Sequence, residues 1–173
     1  MSKVILFVCN GNIHRSVIAA LSTARLLNER GLDGEYEVLS RGLQGTMGTS
    51  LPRHRNLREY AHEWAQSGPP LAEIGLDIPK GQQSTPITRQ VAELASAIFA
   101  MDNLVLSTKP NSLANQFPDL RTKMHLFGEI AGTLDDVPDP AGKDDPSLHR
   151  DVVHTIDSTL RQHLDTLLQF ANA

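Results

Sequence analysis

The hydrophobic pattern changes its period once near the start of the chain, at Ser16. The segment KVILFVC (3–9) is a short apolar run rich in β-branched residues, and it predicts a buried strand. From Val17 to Leu27 apolar residues recur at helical spacing, and Gly31 ends the pattern. A strand that leads directly into a helix is the opening unit of a parallel sheet, so this feature favours the α/β class.

Strand-like and helix-like segments alternate along the rest of the chain. Further strands are predicted at EYEVLS (35–40), SAIFAM (96–101) and KMHLFG (123–128). Helices are predicted at LREYAHEWA (57–65), at ITRQVAELA (87–95) and over 147–170, with Val153, Ile156, Leu160, Leu164 and Leu167 on one face. Loops are predicted at GTMGTSLP (45–52), SGPPL (67–71) and DDVPDPAGKDDP (135–146). The alternation predicts one domain over 1–173, an α/β fold with an open, mainly parallel four-stranded sheet and helices on both faces.

Composition excludes several classes of protein. The net charge of −4 argues against nonspecific nucleic-acid binding, which requires a basic surface. The single cysteine, Cys9, permits no intramolecular disulfide and no cysteine-rich metal site. No apolar run is long enough to span a bilayer, and MSKVILFV is too short for a signal peptide. We expect a cytoplasmic monomer without metal, nucleic-acid or membrane partners.

The final helix is expected to carry several solvated polar residues, namely His149, Asp151, His154 and Asp157.

The only cysteine stands in CNGNIHRS (9–16), between the first strand and the first helix. Ligands bind at the carboxyl ends of strands in open α/β sheets, where loop N–H groups beside a helix N-terminus favour an oxyanion. Gly11 would allow a sharp path, and Asn12 a left-handed conformation. Arg15 would offer a planar fork to two phosphate oxygens, and Ser16 a hydrogen bond to Cys9. These surroundings favour a thiolate and therefore phosphoryl transfer through a cysteinyl-phosphate. A buried, purely hydrophobic cysteine is the competing interpretation.

VCNGNIHRS (8–16) resembles the signature loop of the low-molecular-weight protein tyrosine phosphatases. Three further segments resemble parts of that family: VLSRG (38–42), AIFAMD (97–102) and the Asp-Pro loop VPDPAG (137–142). The resemblance spans nearly the whole chain and implies a flavodoxin-like, doubly wound sheet. It implies hydrolysis of phosphomonoesters, above all protein phosphotyrosine, without a metal or cofactor. Inorganic phosphate or sulfate would be able to occupy the loop.

The resemblance also implies a role for each residue of the site. Cys9, Arg15 and Asp139 are the expected catalytic residues, with Cys9 as nucleophile and Asp139 as general acid. The expected phosphate-binding loop is Asn10, Gly11, Asn12, Ile13, His14, Arg15 and Ser16, supported by Asn12, Ser16 and Ser40. The chemistry itself requires a proton donor for the leaving group, but five aspartates lie between 135 and 145. Only the resemblance, through the following Pro140, selects Asp139.

The sequence departs from the family at several places. His14 stands where many relatives carry a second cysteine, and Ala141 and Gly142 stand where many place aromatic residues that flank the substrate. The connection at about 45–70 is longer than the family's. Its predicted helix carries Leu57, Tyr60, Ala61 and Trp64 on one face and begins with the basic residues Arg53, Arg55 and Arg58. That face either packs on the core or forms a substrate wall with a basic rim for acidic phosphopeptides.

Other functions stay open at the level of sequence. An arsenate reductase of the same fold would depend on an external thiol, because the chain has one cysteine. A non-catalytic module that binds phosphate or phosphopeptides would need only the loop. Phosphoarginine is a further substrate within the phosphatase hypothesis. The branch of the family that hydrolyses it tends to have threonine where Ile13 stands.

Overall fold

The sheet has four strands, and the first of them along the chain lies inside it. The structure is a computed structural model that describes residues 1–46, 48–50 and 55–173. The strands are β1 (Lys3–Cys9), β2 (Tyr36–Gly42), β3 (Ala95–Ala100) and β4 (Met124–Leu126). Their order is β2-β1-β3-β4, and every neighbouring pair is parallel. The predicted open, parallel four-stranded sheet is confirmed.

Helices connect these strands in the described part of the chain. The α-helices are α1 (Arg15–Glu29), α2 (Ala61–Glu73), α3 (Arg89–Leu94), α4 (Leu113–Gln116), α5 (Pro146–Gln162) and α6 (Leu164–Asn172). Short 3-10 turns lie at Leu57–Glu59, Pro118–Lys123 and Phe127–Ala131, and a π turn at Leu104–Thr108. Because each connection returns the chain to the same end of the sheet, all four strands run in one direction.

Alternation along β1 divides the core into two layers. Ile5, Phe7 and Cys9 belong to the layer that contains the buried faces of α1, α5 and α6. Val4, Leu6 and Val8 point the other way, into the layer of α3, α4 and the π turn. The strand is therefore buried on both faces, which explains its continuous apolar sequence. Helices on both faces of the sheet are confirmed.

The helix α2 corrects two predictions for the long connection. The segment SGPPL, predicted as a loop, lies inside α2, which contains both Pro69 and Pro70. Two prolines remove backbone N–H donors, but the helix buries Ser67 and Leu71 against the rest of the protein, and this packing outweighs the local penalty. The helix predicted from residue 57 begins only at Ala61, after a separate 3-10 turn.

The predicted final helix is two helices. Backbone dihedrals of −125° and 27° at His163 separate α5 from α6. The predicted apolar face is nevertheless buried along both helices, in Val153, Ile156, Leu160, Leu164 and Leu167. Expected solvation is wrong for His149, which is fully buried, and for Asp157, which accepts hydrogen bonds from Ser22 and Arg25.

The loop predicted at 135–146 is confirmed up to Asp145, where the side chain caps α5. The loop predicted at 45–52 lies partly outside the described residues. None of the described helices is long and apolar enough to cross a membrane.

Candidate active site

Cys9 ends β1 and the chain turns sharply behind it. Among the described residues other than glycine, Asn12 alone has a positive φ, of 55°. This left-handed turn directs the Asn12 backbone N–H to the Cys9 sulfur at 3.2 Å. The expectation for Asn12 is thus met, because an asparagine adopts this conformation at lower cost than most residues. Cys9 itself is 3% exposed, at the floor of the cavity described below.

Side chains behind the loop hold it by a short hydrogen-bonded series. The Asn12 side-chain amide donates to Ser16 Oγ at 2.9 Å, and Ser16 Oγ lies 3.0 Å from Cys9 Sγ. Because Ser16 already accepts from Asn12, its own proton is available to the sulfur. The Asn12 side-chain oxygen, Oδ1, in turn accepts from the backbone N–H of Thr85 at 2.8 Å. The structure therefore brings Asn12, Ser16 and Cys9 together.

The sequence indicated Gly11 as the glycine that the loop requires, but the structure shows this requirement at Gly42 and Gly48 instead. Gly11 has no positive φ, and a Cβ placed there would make only ordinary contacts. Gly42, at the end of β2, is different, since its Cβ would lie 2.9 Å from the backbone N of Asn12. A Cβ on Gly48 would lie closer still to the carbonyl oxygen of Gly11. Close approach of neighbouring backbone, from Gly42 and Gly48, thus supports the loop.

Arg15 begins α1 and is 2% exposed. Its Nη1 donates to Asp102 Oδ2 and to the carbonyl oxygen of Val137, both at 2.7 Å. Burial would lower the pKa of Arg15, but the negative charges of Cys9, Asp102 and Asp139 raise it above its ordinary value. The guanidinium is therefore a fixed cation, and its orientation depends on Asp102, a residue that sequence reasoning quoted only as part of AIFAMD.

Asp139 is the aspartate of the 135–145 loop that lines the same pocket as Cys9. Its Oδ2 lies 3.6 Å from Arg15 Nη2, and its Oδ1 accepts from the Ala141 backbone N–H at 3.0 Å. The carboxylate is 45% exposed, so solvent and a ligand can reach it. Asp136 instead accepts two hydrogen bonds from Asn103, and Asp145 caps α5. The structure thus separates Asp139 from its neighbours on geometry.

A pocket of about 390 Å³ connects these groups. Asn10, Gly11, Ile13 and His14 of the loop line it together with Cys9, Arg15, Gly48, Leu57, Tyr60, Glu63, Asp139, Ala141 and Gly142. Tyr60 and Leu57 come from the long connection, which therefore supplies part of the wall. Glu63, on α2, adds a carboxylate that the sequence did not indicate as part of the site.

The predicted helix face and basic rim of the long connection are not found among the described residues. Leu57 and Tyr60 precede α2 and Ala61 is exposed, so the predicted helix face does not exist as one surface. Arg58 stacks over Trp64 at 4.4 Å and pairs with Asp77. Arg53 lies outside the described residues. In the described part of the pocket wall, no arginine of the connection is present.

Ser40 is a predicted support residue for which no hydrogen bond to the loop is found among the described residues. It lies in β2 opposite Phe7 and lines a separate groove beside α1. Thr85, whose N–H holds Asn12, takes part in the support instead. Lys109 also contacts the loop, donating to the Asn10 side chain at 2.6 Å. Nothing in the sequence around Thr85 or Lys109 signals these contacts.

His14 occupies the loop without facing water. It is 8% exposed, and its Nε2 lies 2.8 Å from Ser67 Oγ on α2. Burial foremost, and then repulsion between a protonated His14 and either a protonated His149 or Arg15, lowers the pKa of His14 to about 3. The ring is therefore neutral at ordinary pH. Among the described residues, no group of three or more histidine, cysteine or carboxylate side chains is arranged to hold a metal ion.

A parallel sheet whose inner strand ends in a cysteine, followed by an anion cradle with a buried arginine, is the arrangement of a cysteine-dependent phosphatase. A family model described as low molecular weight phosphotyrosine protein phosphatase matches residues 4–171. The chain belongs to this family.

Several solved structures share the fold. A YwlE mutant from Bacillus subtilis is 25% identical, with a TM-score of 0.72 over 97% of this chain and 99% of that one. The YwlE arginine phosphatase from Geobacillus stearothermophilus is 21% identical, with a TM-score of 0.71 over 96% and 94% of the two chains. A low molecular weight phosphotyrosine phosphatase from Vibrio cholerae O395 is 20% identical, with a TM-score of 0.71 over 97% and 98%. No curated protein matches this chain by sequence.

Proposed function

We propose that this phosphatase hydrolyses phosphotyrosine in proteins through a phosphate ester of Cys9. The observation that carries the proposal is that Cys9, Arg15 and Asp139 line one pocket whose other wall includes Tyr60 and Leu57. A nucleophile, a cation and a proton donor are what the cleavage of a phosphate monoester requires. The two wall residues offer an apolar surface to an aryl ring.

In the first step, the thiolate of Cys9 attacks phosphorus while the bond between phosphorus and the tyrosine oxygen breaks. Asp139 gives its proton to the departing phenolate oxygen. Arg15 donates its Nη2 protons to the phosphoryl oxygens, since Nη1 is occupied by Asp102 and Val137. The N–H groups of the loop bind the remaining negative charge.

In the second step, water attacks the phosphorus of the cysteinyl-phosphate. Asp139, now ionised, takes a proton from that water, and the bond between sulfur and phosphorus breaks. The products are inorganic phosphate and the thiolate of Cys9. Ser16 stabilises that sulfur in both steps, through the 3.0 Å contact between Oγ and Sγ.

Tyr60 and Leu57 take the place of the aromatics that the sequence lacks after Pro140. Ala141 and Gly142 present little side chain to a substrate, so an aryl ring would find its apolar contact on Tyr60 and Leu57, which line the same pocket. Burial of a ring against such a wall favours binding by its apolar area and by ring–ring contact.

Phosphoarginine is the second candidate substrate, and Glu63 is the observation that favours it. Its carboxylate lines the pocket and is 18% exposed. A guanidinium beside the phosphoryl group would gain a charge-assisted hydrogen bond there, which a phenyl ring cannot form. One similar structure, from Geobacillus stearothermophilus, is described as an arginine phosphatase.

One set of peptides tests both candidates. Three peptides of identical sequence, carrying phosphotyrosine, phosphoarginine or phosphoserine, are compared by kcat/KM for released phosphate. We expect the highest value for phosphotyrosine, and loss of turnover in Cys9→Ser, because an alcohol at this position is a poor nucleophile. Arg25→Lys, altered at an ion pair outside the pocket, is the control.

Two further variants assign the wall residues. Tyr60→Ala is expected to raise KM for the phosphotyrosine peptide about fivefold, the equivalent of a lost aromatic contact of about 1 kcal/mol. Glu63→Gln is expected to leave that KM unchanged. A higher kcat/KM for phosphoarginine, reduced in Glu63→Gln by a larger factor than the kcat/KM for phosphotyrosine, would instead establish the second candidate. Bound phosphate without turnover of any peptide would refute both.

A further inference from the structure

Three buried side chains from three elements form a hydrogen-bonded series behind the phosphate-binding loop. His14 Nε2 lies 2.8 Å from Ser67 Oγ, and Ser67 Oγ lies 2.8 Å from His149 Nδ1. Ser67 and His149 are fully buried, in α2 and α5. The loop is thus joined to both helices by polar contacts that water cannot replace.

The far end of this series reaches the segment that follows Asp139. His149 Nε2 lies 3.2 Å from the carbonyl oxygen of Lys143 and 3.4 Å from Glu63 Oε2. Glu63 Oε1 also accepts from the backbone N–H of Gly142, at 3.0 Å. Two contacts from α2 and α5 therefore hold residues 142 and 143.

The proton positions along the series follow from the carbonyl oxygen of Lys143, which His149 Nε2 contacts. A carbonyl oxygen can only accept, so His149 Nε2 carries a proton and donates to Lys143. In a neutral ring Nδ1 then accepts from the hydroxyl of Ser67. The Ser67 oxygen consequently accepts from His14 Nε2, which leaves His14 Nδ1 without a proton. The opposite polarity would place a proton on His14 Nδ1, a buried atom with no hydrogen-bond partner among the described residues.

The position of Asp139 depends on such contacts because its own are few. On the N-terminal side, Arg15 and the backbone of Met101 hold Val137. Among the described residues, Asp139 binds the nearby Ala141 N–H and faces Arg15 at 3.6 Å. On the other side, the contacts at Gly142 and Lys143 hold the loop close to Asp139, and His62 and the cap of α5 hold Asp144 and Asp145 further along.

We propose that Ser67 is a positioning residue for the general acid: through its hydrogen bond to Nδ1 it holds the ring of His149, whose Nε2 anchors the loop of Asp139 at Lys143. The inference rests on the proposed function, in which Asp139 gives a proton to the leaving group. Ser67 touches no substrate and acts only through His149. The series also fixes one tautomer of His14 in the phosphate-binding loop, so the acid loop and the anion cradle share one set of proton positions.

The kinetic test compares Ser67→Ala with Ser22→Ala. Ser22 is also a fully buried helical serine that donates to a side chain, in its case Asp157, and it lies outside the pocket. A series of aryl phosphates with leaving groups of increasing basicity is hydrolysed by both variants. For Ser67→Ala we expect kcat to fall about tenfold on the most basic leaving group, a fraction of the ~100-fold or more that a general acid contributes.

The same variant is expected to hydrolyse the least basic leaving group at the wild-type rate, and to be inhibited by inorganic phosphate as before. Ser22→Ala is expected to match the wild type across the series. An equal loss on every leaving group in Ser67→Ala would overturn the positioning role. Absence of aryl phosphate turnover in the wild type would overturn the proposed function itself.

A spectroscopic test measures the protonation of the histidine ring nitrogens in the series and does not depend on enzyme activity. In protein labelled with ¹⁵N at histidine, the ring nitrogen shifts distinguish a protonated nitrogen from a bare one. We expect protonated Nε2 and bare Nδ1 in both His14 and His149 of the wild type, and loss of this single pattern in Ser67→Ala. A protonated Nδ1 in wild-type His14 would overturn the inferred direction, even if both variants fail to fold.

Discussion

Arg15 Nη2 and Asp139 Oδ2 face each other across 3.6 Å in the pocket that both residues line. The distance exceeds a hydrogen bond, and Asp139 remains reachable by solvent. Asp102 and the carbonyl oxygen of Val137 accept hydrogen bonds from Arg15 Nη1, and these bonds fix the orientation of the guanidinium relative to the Asp139 carboxylate. A phosphoryl group entering the pocket would therefore meet a fixed cation and a carboxylate held on the acid loop.

Arg15→Lys is expected to lower kcat by about 100-fold or more, the cost of removing a donor to a transition-state oxyanion. A lysine keeps the charge but cannot reach Asp102, Val137 and two phosphoryl oxygens at once. The measurement is kcat/KM on an aryl phosphate, with Arg25→Lys as control, because Arg25 binds Ile74, Gly75 and Asp157 instead. Wild-type kinetics in Arg15→Lys would show that its role is charge alone.

Asp139→Asn is expected to slow hydrolysis of aryl phosphates with basic leaving groups by about 100-fold or more, and that of good leaving groups much less. A good leaving group departs without full protonation, so it depends less on the acid. Asp136→Asn is the matched control in the same loop, since its amide oxygen can still accept from Asn103. The assignment of Asp139 fails if the two variants show the same leaving-group dependence.

Gly42→Ala is expected to weaken inhibition by inorganic phosphate and to lower turnover, because its Cβ would lie 2.9 Å from the Asn12 backbone N. The loop must shift to relieve this contact, and the N–H groups shift with it. Gly34→Ala adds a methyl group where nothing lies within 4 Å, so it controls for the substitution. Both variants are compared by phosphate inhibition constant. Equal constants would mean that the loop tolerates displacement.

The pKa of His14, lowered to about 3, makes the stability of the protein depend on pH. In the unfolded chain this ring takes up a proton near pH 6.5, whereas in the folded protein it stays neutral. The unfolded state therefore gains protons as pH falls below 6.5, and stability is lost between about pH 6.5 and 3. His14→Gln removes this contribution. From pH 7 to 5, the free energy of unfolding of the variant should fall by about 2 kcal/mol less than that of the wild type.

Urea unfolding at the two pH values measures that difference. The comparison is between changes with pH, so a constant loss from the lost contact with Ser67 cancels. Parallel pH dependence in wild type and His14→Gln would show that the ring is protonated in the folded state as well.

The strands could be predicted because their signal is local. β1 is apolar throughout, since both of its faces are buried, and β3 follows the same rule. The helical conformation of SGPPL could not be predicted from the sequence. It depends on the packing of Ser67 and Leu71 against other elements, and this packing outweighs the proline penalty. The break at His163 interrupts a face whose apolar spacing continues undisturbed.

The candidate site divides in the same way. The residues from Cys9 to Ser16 are consecutive, so the sequence shows them together. Thr85, Asp102 and Glu63 reach the loop or the pocket only through the fold, and each is an ordinary polar residue in its own segment. The support role of Ser40 stays a prediction, since its place in β2 opposite Phe7 shows which strand carries it but no hydrogen bond to the loop.

The inner position of β1 has a consequence for how the protein is made. The first strand to leave the ribosome pairs with β2 and β3, whose residues begin at Tyr36 and Ala95. Until those strands emerge, the cysteine loop has been synthesised in full but lacks the neighbouring strands that support it. Parallel pairings over such distances form late, because the intervening chain must first be ordered. A growing chain therefore acquires its phosphate cradle only after Asp102 has emerged, and its acid loop later still.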